Sequence, residues 1–383
     1  MNSRERVRMA LNHKEPDRVP YDLGGTVMTG INKLAYAGLR QVLGLPRMEE
    51  IRIAEFLQQI AIIDDDVRER LKVDVLDTAP RSSGTFNIEI KDRGDYLYFY
   101  DEWGIGWQMP KDGGFFYDMF DHPLKNATTV QEIDKFPWPD PVAPARFAGL
   151  HDRARHVAEV EGKAVCLGGL CAGILEMAAW MRGYENFYPD CIINRDLIER
   201  IMDIVVEMKM AFWEKALAET GEYADVLVEA DDFAGQFNLL ITLDMYRDLF
   251  KPRHKKLFDF IHARTDAKIF FHSCGAIRPA LPDLIDTGID ILNPVQVSAK
   301  GMDSAELKKE FGKDLTFWGG GVDVQNVFGT GTPEEVRADV KRRIDDLAPG
   351  GGFVFATVHN TQANVPPENF MAMWETLQEY GVY

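Results

Sequence analysis

Seven short apolar runs organise the sequence, and most are followed by a longer segment in which apolar residues recur every three or four positions. The apolar runs lie at 73–78, 164–170, 226–230, 268–272, 289–295, 315–319 and 353–357. The amphipathic segments lie at 197–217, 243–265, 277–287, 304–311 and 333–347. Continuously apolar strands that alternate with amphipathic helices are typical of a parallel sheet covered by helices. The pattern therefore predicts an α/β fold, best matched by a (β/α)8 TIM barrel with one strand not identified.

A doubly wound open sheet is the alternative, but no G-x-G-x-x-G follows any apolar run, so its dinucleotide-binding version is not supported. We predict one domain over residues 1–383. Its first segment, 1–70, is predicted to be helical, with apolar periodicity at 31–43 and 51–71. Residues 85–120 contain alternating apolar and polar positions around Asp92-Arg93-Gly94-Asp95, which predicts an inserted β-hairpin.

Charge and composition exclude several classes of partner. The formal net charge is −18, and nucleic acid or anionic membrane would require basic patches instead. No apolar stretch is long enough to span a bilayer, and the charged first twenty residues lack the apolar core of a signal peptide. Four cysteines in 383 residues do not make a disulfide framework. We therefore expect a cytoplasmic protein with free thiols, acting on neither nucleic acid nor membrane.

Polar and glycine residues cluster where the apolar runs end. These clusters are Asp77, Gly168-Gly169, Glu229-Ala-Asp-Asp232, His272-Ser-Cys-Gly275, Asn293-Pro-Val-Gln296, Gly319-Gly-Gly321 and His359-Asn360. Ordinary loop chemistry is enough to explain a single cluster of this kind. Because the carboxyl ends of parallel strands build the active site in barrels and open α/β sheets, so many together predict a catalytic pocket.

The pair His272 and Cys274 indicates a metal site within this pocket. Residues two apart in a strand point the same way, so both side chains can face one pocket. Imidazole nitrogen and thiolate sulfur are preferred zinc ligands, and a catalytic zinc needs a third protein ligand and an open position. His359 and Glu229, at the ends of other strands, are the two candidates for that third ligand.

Four further polar residues are candidates for positioning the substrate. Asp231 and Asp232 follow a strand directly and are predicted to orient the substrate, act as a base or support His272; helix capping is the alternative. Asn293 and Gln296 lie where the fifth apolar run ends. The aromatic residues between Tyr96 and Phe120 are predicted to pack beneath the hairpin, with an apolar substrate pocket as the alternative.

Several motifs resemble the uroporphyrinogen decarboxylase superfamily across the whole chain. They are Ser3-Arg-Glu-Arg-Val7, Pro16-Asp-Arg-Val-Pro20, Phe271-His-Ser-Cys-Gly275, the stretch from Leu284 to Gln296, and Val365-Pro-Pro-Glu-Asn369. The decarboxylase branch carries an Arg-rich N-terminal segment, where this sequence has Tyr21-Asp-Leu-Gly-Gly25. The corrinoid-dependent methyltransferase branch holds zinc with His-x-Cys and a distant Cys. His272 and Cys274 match the first pair, and His359 stands where the distant Cys is expected.

The resemblance implies a zinc-dependent methyltransferase that takes a methyl group from a methoxylated aromatic and passes it to the cob(I)amide of a corrinoid protein. The chain has no Asp-x-His-x-x-Gly motif, so the corrinoid is expected on that partner. Methyl transfer from methylcorrinoid to a thiol or to tetrahydrofolate, a decarboxylase-like lyase and a non-enzymatic metal-binding protein are the alternatives. Whether the protein forms a homodimer is left open by the sequence.

Overall fold

The computed structural model describes residues 1–383, and its centre is a seven-stranded parallel sheet. The strands of the molecule are β1 (Ile53–Glu55), β2 (Ile60–Ala61), β3 (Val75–Asp77), β4 (Lys91–Arg93), β5 (Tyr96–Tyr100), β6 (Gly106–Pro110), β7 (Asp118–Asp121), β8 (Ala164–Leu167), β9 (Val226–Ala230), β10 (Lys268–His272), β11 (Ile291–Asn293), β12 (Thr316–Trp318) and β13 (Phe353–Val354). The central sheet has the order β13-β12-β11-β10-β9-β8-β3, so each of the seven apolar runs contains one of its strands.

Helices occupy the connections between these strands. The α-helices are α1 (Ser3–Leu11), α2 (Lys33–Val42), α3 (Asp65–Arg70), α4 (Val130–Asp134), α5 (Pro144–Phe147), α6 (Leu150–Arg155), α7 (Ile174–Arg182), α8 (Tyr184–Ile193), α9 (Arg195–Thr220), α10 (Leu243–Met245), α11 (Lys251–His262), α12 (Leu281–Thr287), α13 (Ser304–Phe311), α14 (Pro333–Leu347) and α15 (Pro367–Tyr380). The five predicted amphipathic segments correspond, in chain order, to α9, to α10 and α11 together, to α12, to α13 and to α14. None of the helices combines the length and apolarity needed to cross a bilayer.

The segment Pro20–Asp22 closes the gap between the two edge strands of the sheet. The Phe355 amide donates to the Pro20 carbonyl at 2.8 Å, and the Asp22 amide donates to the Phe355 carbonyl at 2.9 Å. On the other side, the Asp74 amide donates to the Tyr21 carbonyl at 2.8 Å. This short segment supplies the strand that the sequence pattern did not reveal, and the predicted barrel fold is confirmed.

A buried carboxylate holds the closing segment in place. Asp74 is fully buried, and its oxygens accept hydrogen bonds from Arg6 Nη1 at 2.8 Å, Arg18 Nη1 at 2.7 Å and the Tyr21 amide at 2.8 Å. Arg6 also binds Asp17 at the surface, with an Nε–Oδ1 distance of 2.6 Å. The motifs at Ser3–Val7 and Pro16–Pro20 therefore build the barrel.

Side-chain alternation along the strands separates the barrel interior from the layer under the helices. The interior cluster contains Val75, Cys166, Val228, Phe270 and Trp318. Helix α1 adds Val7, Ala10 and Leu11 to this cluster and so plugs the end of the barrel where the strands begin. The next inward positions, towards the strand ends, form the floor of the opposite mouth.

The predicted N-terminal helices are confirmed only in part. Helix α2 lies in the predicted segment 31–43, but the prediction of one helix over 51–71 is wrong in its first half. There, Ile53 pairs with Ala61 in an antiparallel ribbon, and the Glu55 carboxylate accepts the amides of Leu57 and Gln58 to make the turn. These local hydrogen bonds compete with the helical periodicity.

The predicted hairpin is a four-stranded antiparallel sheet, in the order β4-β5-β6-β7. It packs against α7 through Trp107 and Trp180, whose ring centroids are 5.4 Å apart. The aromatic side chains of this region divide into a buried set, Phe99, Trp103, Trp107 and Tyr117, and an exposed set, Tyr96, Tyr100, Phe115 and Phe116. The buried set belongs to the main hydrophobic core, as the packing prediction requires.

We expect Asp74→Ala to destabilise the protein by about 3–5 kcal/mol, because it leaves two guanidinium groups near the closing segment without their buried counter-charge. Urea unfolding followed by circular dichroism measures this loss. Asp17→Ala is the matched control: its carboxylate binds Arg6 at the half-exposed surface, so its loss should cost no more than about 1 kcal/mol. Equal effects of the two substitutions would contradict the structural role given to Asp74.

Candidate metal centre

Strand β10 places His272 inside the barrel mouth. Phe270 belongs to the interior cluster, so His272, two residues on, faces inward as well. The chain then turns at Gly275, which has a φ of 92° and whose Cβ would lie 2.6 Å from the carbonyl oxygens of Ala234 and Gly235. This tight turn leaves Cys274 beside the histidine, with Cys274 Sγ 3.5 Å from His272 Nε2.

His359, which follows β13, completes a group of three potential ligands. One ligand atom each from His272, Cys274 and His359 lies within 4.8 Å of the others. The two imidazole rings meet edge to face, with centroids 5.3 Å apart. The structure thus brings together residues that are 85 positions apart in the sequence (359 − 274).

The spacing of one pair in this group, Cys274 and His272, fits a tetrahedral zinc ion. Zinc bonds of about 2.1 Å to nitrogen and about 2.3 Å to sulfur, at tetrahedral angles, separate the two ligand atoms by roughly 3.5 Å. The distance between Cys274 Sγ and His272 Nε2 is 3.5 Å. Two imidazoles and one thiolate leave a fourth coordination position for substrate or water, as catalytic zinc sites require.

Asn293 sets the tautomer of His272. The Asn293 amide nitrogen donates to the Trp318 carbonyl at 2.8 Å, so its oxygen, 2.5 Å from His272 Nδ1, accepts the ring hydrogen. His272 Nε2 therefore keeps its lone pair, and this is the nitrogen next to Cys274. Supporting hydrogen bonds of this kind orient histidine ligands in metal sites.

His359 is held differently. Its Nδ1 accepts the Asn360 amide hydrogen at 2.8 Å, and burial, followed by the nearby His272, lowers its pKa to about 3. The ring is therefore neutral near pH 7, as a metal ligand must be. With Nδ1 acting as acceptor, the remaining hydrogen lies on Nε2. Metal binding through either nitrogen of His359 therefore requires this hydrogen bond to be exchanged or broken.

Burial, followed by the charges of Asp232 and Glu176, raises the pKa of the Cys274 thiol well above its usual value. Without a metal, the thiol is thus protonated at neutral pH. Because only the thiolate binds zinc well, loading of this site is expected to release a proton.

Glu229, the other candidate for the third ligand, lies on the opposite face of the sheet. It pairs in register with Phe271, while the inward position of β9 is its neighbour Val228. Its carboxylate accepts hydrogen bonds from Lys209 Nζ at 2.7 Å and Trp213 Nε1 at 2.6 Å, both on α9. This buried ion pair fastens α9 to the barrel wall, and Glu229 is not placed beside the metal group.

Asp231 also has a different position from the one expected. It is fully buried, and its oxygens accept the amides of Leu175 and Glu176, both at 2.9 Å, and so cap α7. His254 Nε2 binds the same carboxylate at 2.9 Å. With its acceptors engaged by the protein, Asp231 supports the mouth rather than reaching a substrate, and the helix that it caps is the preceding α7 rather than the next helix along the chain.

Asp232, Asn293 and Gln296 surround the metal group. Asp232 Oδ1 accepts the Cys274 amide at 2.7 Å and lies 4.0 Å from His272 Nε2, and its side chain is 37% exposed. Gln296 Oε1 accepts the Gly275 amide at 2.7 Å. Asn293 and Gln296 therefore hold the two ends of the His-x-Cys segment. Asp232, by contrast, leaves part of its carboxylate exposed towards the mouth.

Three carboxylates near the mouth were given no role from sequence. Asp77 continues the inward alternation of Val75 and is exposed to solvent within the mouth; enclosure by the surrounding protein raises its pKa to about 6 against the lowering effects of the Ala79 amide and Arg153. Burial likewise raises the pKa of Asp22 to about 6; Asp22 accepts the Trp318 indole hydrogen at 2.8 Å. Burial and then the neighbouring Asp232 and Asp231 raise the pKa of Glu176 well above its usual value. Of these three carboxylates, only Asp77 stood out in the sequence, because it lies where an apolar run ends.

The chain has relatives among known proteins. The uroporphyrinogen decarboxylase (URO-D) family model matches residues 102–380. The methylcobamide:CoM methyltransferase MtbA of Methanosarcina mazei is 24% identical over 264 residues, which cover 68% of this chain and 70% of that protein. A uroporphyrinogen decarboxylase of Alkalilimnicola ehrlichii is 24% identical over 297 residues, 74% of each protein. A solved methyltransferase from Methanosarcina mazei matches 99% of both chains with a TM-score of 0.66 and 19% identity, which supports the fold.

We expect Cys274→Ala and His359→Ala each to lower zinc affinity by about tenfold or more, because each removes a ligand from the group of three. Competition with a chromophoric chelator measures the affinity. Asn293→Ala should weaken binding less, through loss of the His272 hydrogen bond. Cys171→Ala is the matched control, since Cys171 is a partly buried cysteine outside the group. Unchanged affinity in both ligand variants would overturn the site.

We expect Asp77→Asn to raise the melting temperature at pH 7.5 only slightly, because the amide keeps the Ala79 hydrogen bond, while the carboxylate that it removes is exposed to solvent, which screens its unfavourable charge. A folded pKa of about 6, above an unfolded value of about 3.9, means that wild-type stability falls as pH rises through that window. The advantage of the variant should therefore disappear near pH 4. Asp95→Asn, at the turn between β4 and β5 and away from the mouth, is the control, and scanning calorimetry across pH distinguishes the two. A pH-independent difference for Asp77→Asn would contradict this assignment.

Proposed function

Because this chain belongs to the uroporphyrinogen decarboxylase family, we propose that it is a zinc- and corrinoid-dependent methyltransferase. In this proposal it moves the methyl group of a methoxylated aromatic compound to the cob(I)amide of a separate corrinoid protein. The observation that carries the proposal is the group His272, Cys274 and His359, which gathers two imidazoles and one thiol at the mouth of the barrel. Its spacing suits zinc, and its position suits a reaction with a second protein.

The composition of the donor set supports an ether substrate. With one thiolate in place of two, a zinc ion bound here carries more net positive charge and supplies stronger Lewis acidity towards the methyl-bearing oxygen. This chain therefore differs at the third ligand from the methyltransferases that it resembles, which have His-x-Cys and a second cysteine. The replacement of that cysteine by His359 favours oxygen over sulfur as the atom that the methyl group leaves.

The surrounding residues supply orientation and a proton. Asn293 fixes the His272 ring, and Asp232 holds the Cys274 amide while facing the mouth. When the carbon–oxygen bond breaks, the electron pair stays on the phenolate oxygen, which then takes up a proton. Asp77 is the inward acid suited to that role, because its Oδ1 accepts the Ala79 amide and its Oδ2 is left to hold the proton.

Transfer in the opposite direction is the second candidate. One relative is named as a methylcobamide:CoM methyltransferase, which favours methyl transfer from a methylcorrinoid to a thiol. The same zinc site would then activate the acceptor thiol, as metal-bound thiols are readily deprotonated. Transfer to tetrahydrofolate and a decarboxylase-like reaction find less support in the donor set.

Purified, zinc-loaded protein incubated with free cob(I)alamin and a panel of methoxyarenes tests the proposal. We expect methylcobalamin and the demethylated phenol to form in equal amounts, followed by absorbance and chromatography. Cys274→Ala should abolish transfer, while Cys171→Ala should retain it. In parallel, methylcobalamin with a thiol or with tetrahydrofolate tests the reverse direction. Product only in that second assay would refute the demethylase proposal and support the second candidate.

A further inference from the structure

Arg153 has an unusual environment for an arginine of this protein. The chain has 61 acidic and 43 basic residues, and most arginines with limited exposure bind a carboxylate. Arg153 is half-buried on α6 and makes no ion pair. Its Nη1 donates to the Ala148 carbonyl at 2.8 Å and its Nη2 to the Ala79 carbonyl at 3.3 Å. A guanidinium has five N–H groups, so several of its donors are still available.

A second unpaired guanidinium lies close by. Arg81 follows Ala79 in the loop after β3, is exposed, and makes no ion pair with a carboxylate. Its backbone amide is fixed to the Arg146 carbonyl at 2.8 Å, which anchors this part of the loop. The Ala79 carbonyl that Arg153 binds lies two residues before Arg81, and the charge of Arg81 adds to burial in lowering the pKa of Arg153, so the two cations repel each other.

The two arginines stand on the rim of the same mouth that holds the metal group. The loop begins at Asp77, which faces the barrel interior, and Asp77 Oδ1 accepts the Ala79 amide at 2.7 Å. The Ala79 carbonyl in turn binds Arg153. Two contacts therefore connect Arg153 with the cavity floor. Asp77 is the carboxylate whose charge acts on Arg153, and it makes no direct hydrogen bond to either guanidinium.

We propose that Arg81 and Arg153 form an anion subsite that binds a carboxylate on the methyl donor, which makes the donor a methoxylated aromatic acid. This inference rests on the proposed function and narrows its substrate class. Guanidinium groups bind carboxylates through paired, charge-assisted hydrogen bonds. A singly charged carboxylate suits this rim better than a doubly charged phosphate, because Asp77, Asp232 and Glu176 also lie around the mouth and would repel the higher charge.

Calorimetric titration of the zinc-loaded protein with meta-methoxybenzoate and with the neutral meta-methoxybenzamide tests the subsite directly. The two ligands share shape and methoxy group and differ in charge. We expect the wild type to bind the benzoate more tightly than the amide. Arg153→Ala and Arg81→Ala should each weaken benzoate binding by about 10- to 100-fold, as expected for loss of a hydrogen bond to a charged group. Binding of the amide should change by less than about twofold.

Two further variants control the experiment. Arg70→Ala removes another exposed arginine that has no carboxylate partner, at the end of α3 before the barrel strand begins, and should leave both affinities unchanged. Arg153→Lys keeps a positive charge at the rim, loses the fork geometry, and should give an intermediate loss of benzoate binding. It also tests the subsite if Arg153→Ala proves unstable.

The outcomes separate this inference from the proposed function. Equal binding of benzoate and amide by the wild type, or unchanged benzoate binding in both alanine variants, would overturn the subsite. Arginine-dependent benzoate binding without methyl transfer to cob(I)alamin would support the subsite and refute the demethylase. Methyl transfer from neutral and acidic donors at equal rates, unaffected by Arg153→Ala, would refute the subsite alone.

Discussion

The barrel depends on one buried carboxylate, that of Asp74. It receives two guanidinium groups and a backbone amide, and through them it holds Pro20–Asp22 between the edge strands. Closure brings Asp22 inside, where it receives the indole hydrogen of Trp318. The Trp318 carbonyl in turn accepts from Asn293, whose oxygen fixes His272. An uninterrupted set of hydrogen bonds and covalent links thus runs from the closed end of the barrel to the metal group at its mouth.

The sequence pattern predicted the seven continuously apolar strands and did not predict the closing segment Pro20–Asp22. Seven strands are continuously apolar because both of their faces are buried, and such runs are easy to recognise. Pro20–Asp22 contains two polar or conformationally restricted positions, and its partners Asp74 and Phe355 are far away in the sequence. Likewise, the turn at Glu55 is made by side-chain hydrogen bonds that helical periodicity does not reflect.

The metal group shows both the strength and the limit of reasoning from alternation. His272 and Cys274 were predicted to share a pocket because they are two residues apart, and the structure places them side by side. The position of Glu229 depends on which face of β9 points into the barrel, and a strand with Val, Leu and Val on both faces does not indicate this. Register with β10 supplies it, and Glu229 turns out to face α9. Asp231 caps α7 and Asn293 supports His272, and in both cases the partner residues come close only in the folded chain.

The hydrogen bond from the Asn360 amide to His359 has a consequence for metal selectivity. The side chain of Asn360 also binds the Gly30 amide and the Val27 carbonyl, so this residue cannot move without disturbing the loop that covers the barrel edge. An ion that recruits His359 must compensate for the exchange of that hydrogen bond. In the proposed metal site we therefore expect ions with high affinity for imidazole and thiolate, such as zinc, to bind in preference to magnesium and manganese, which prefer oxygen.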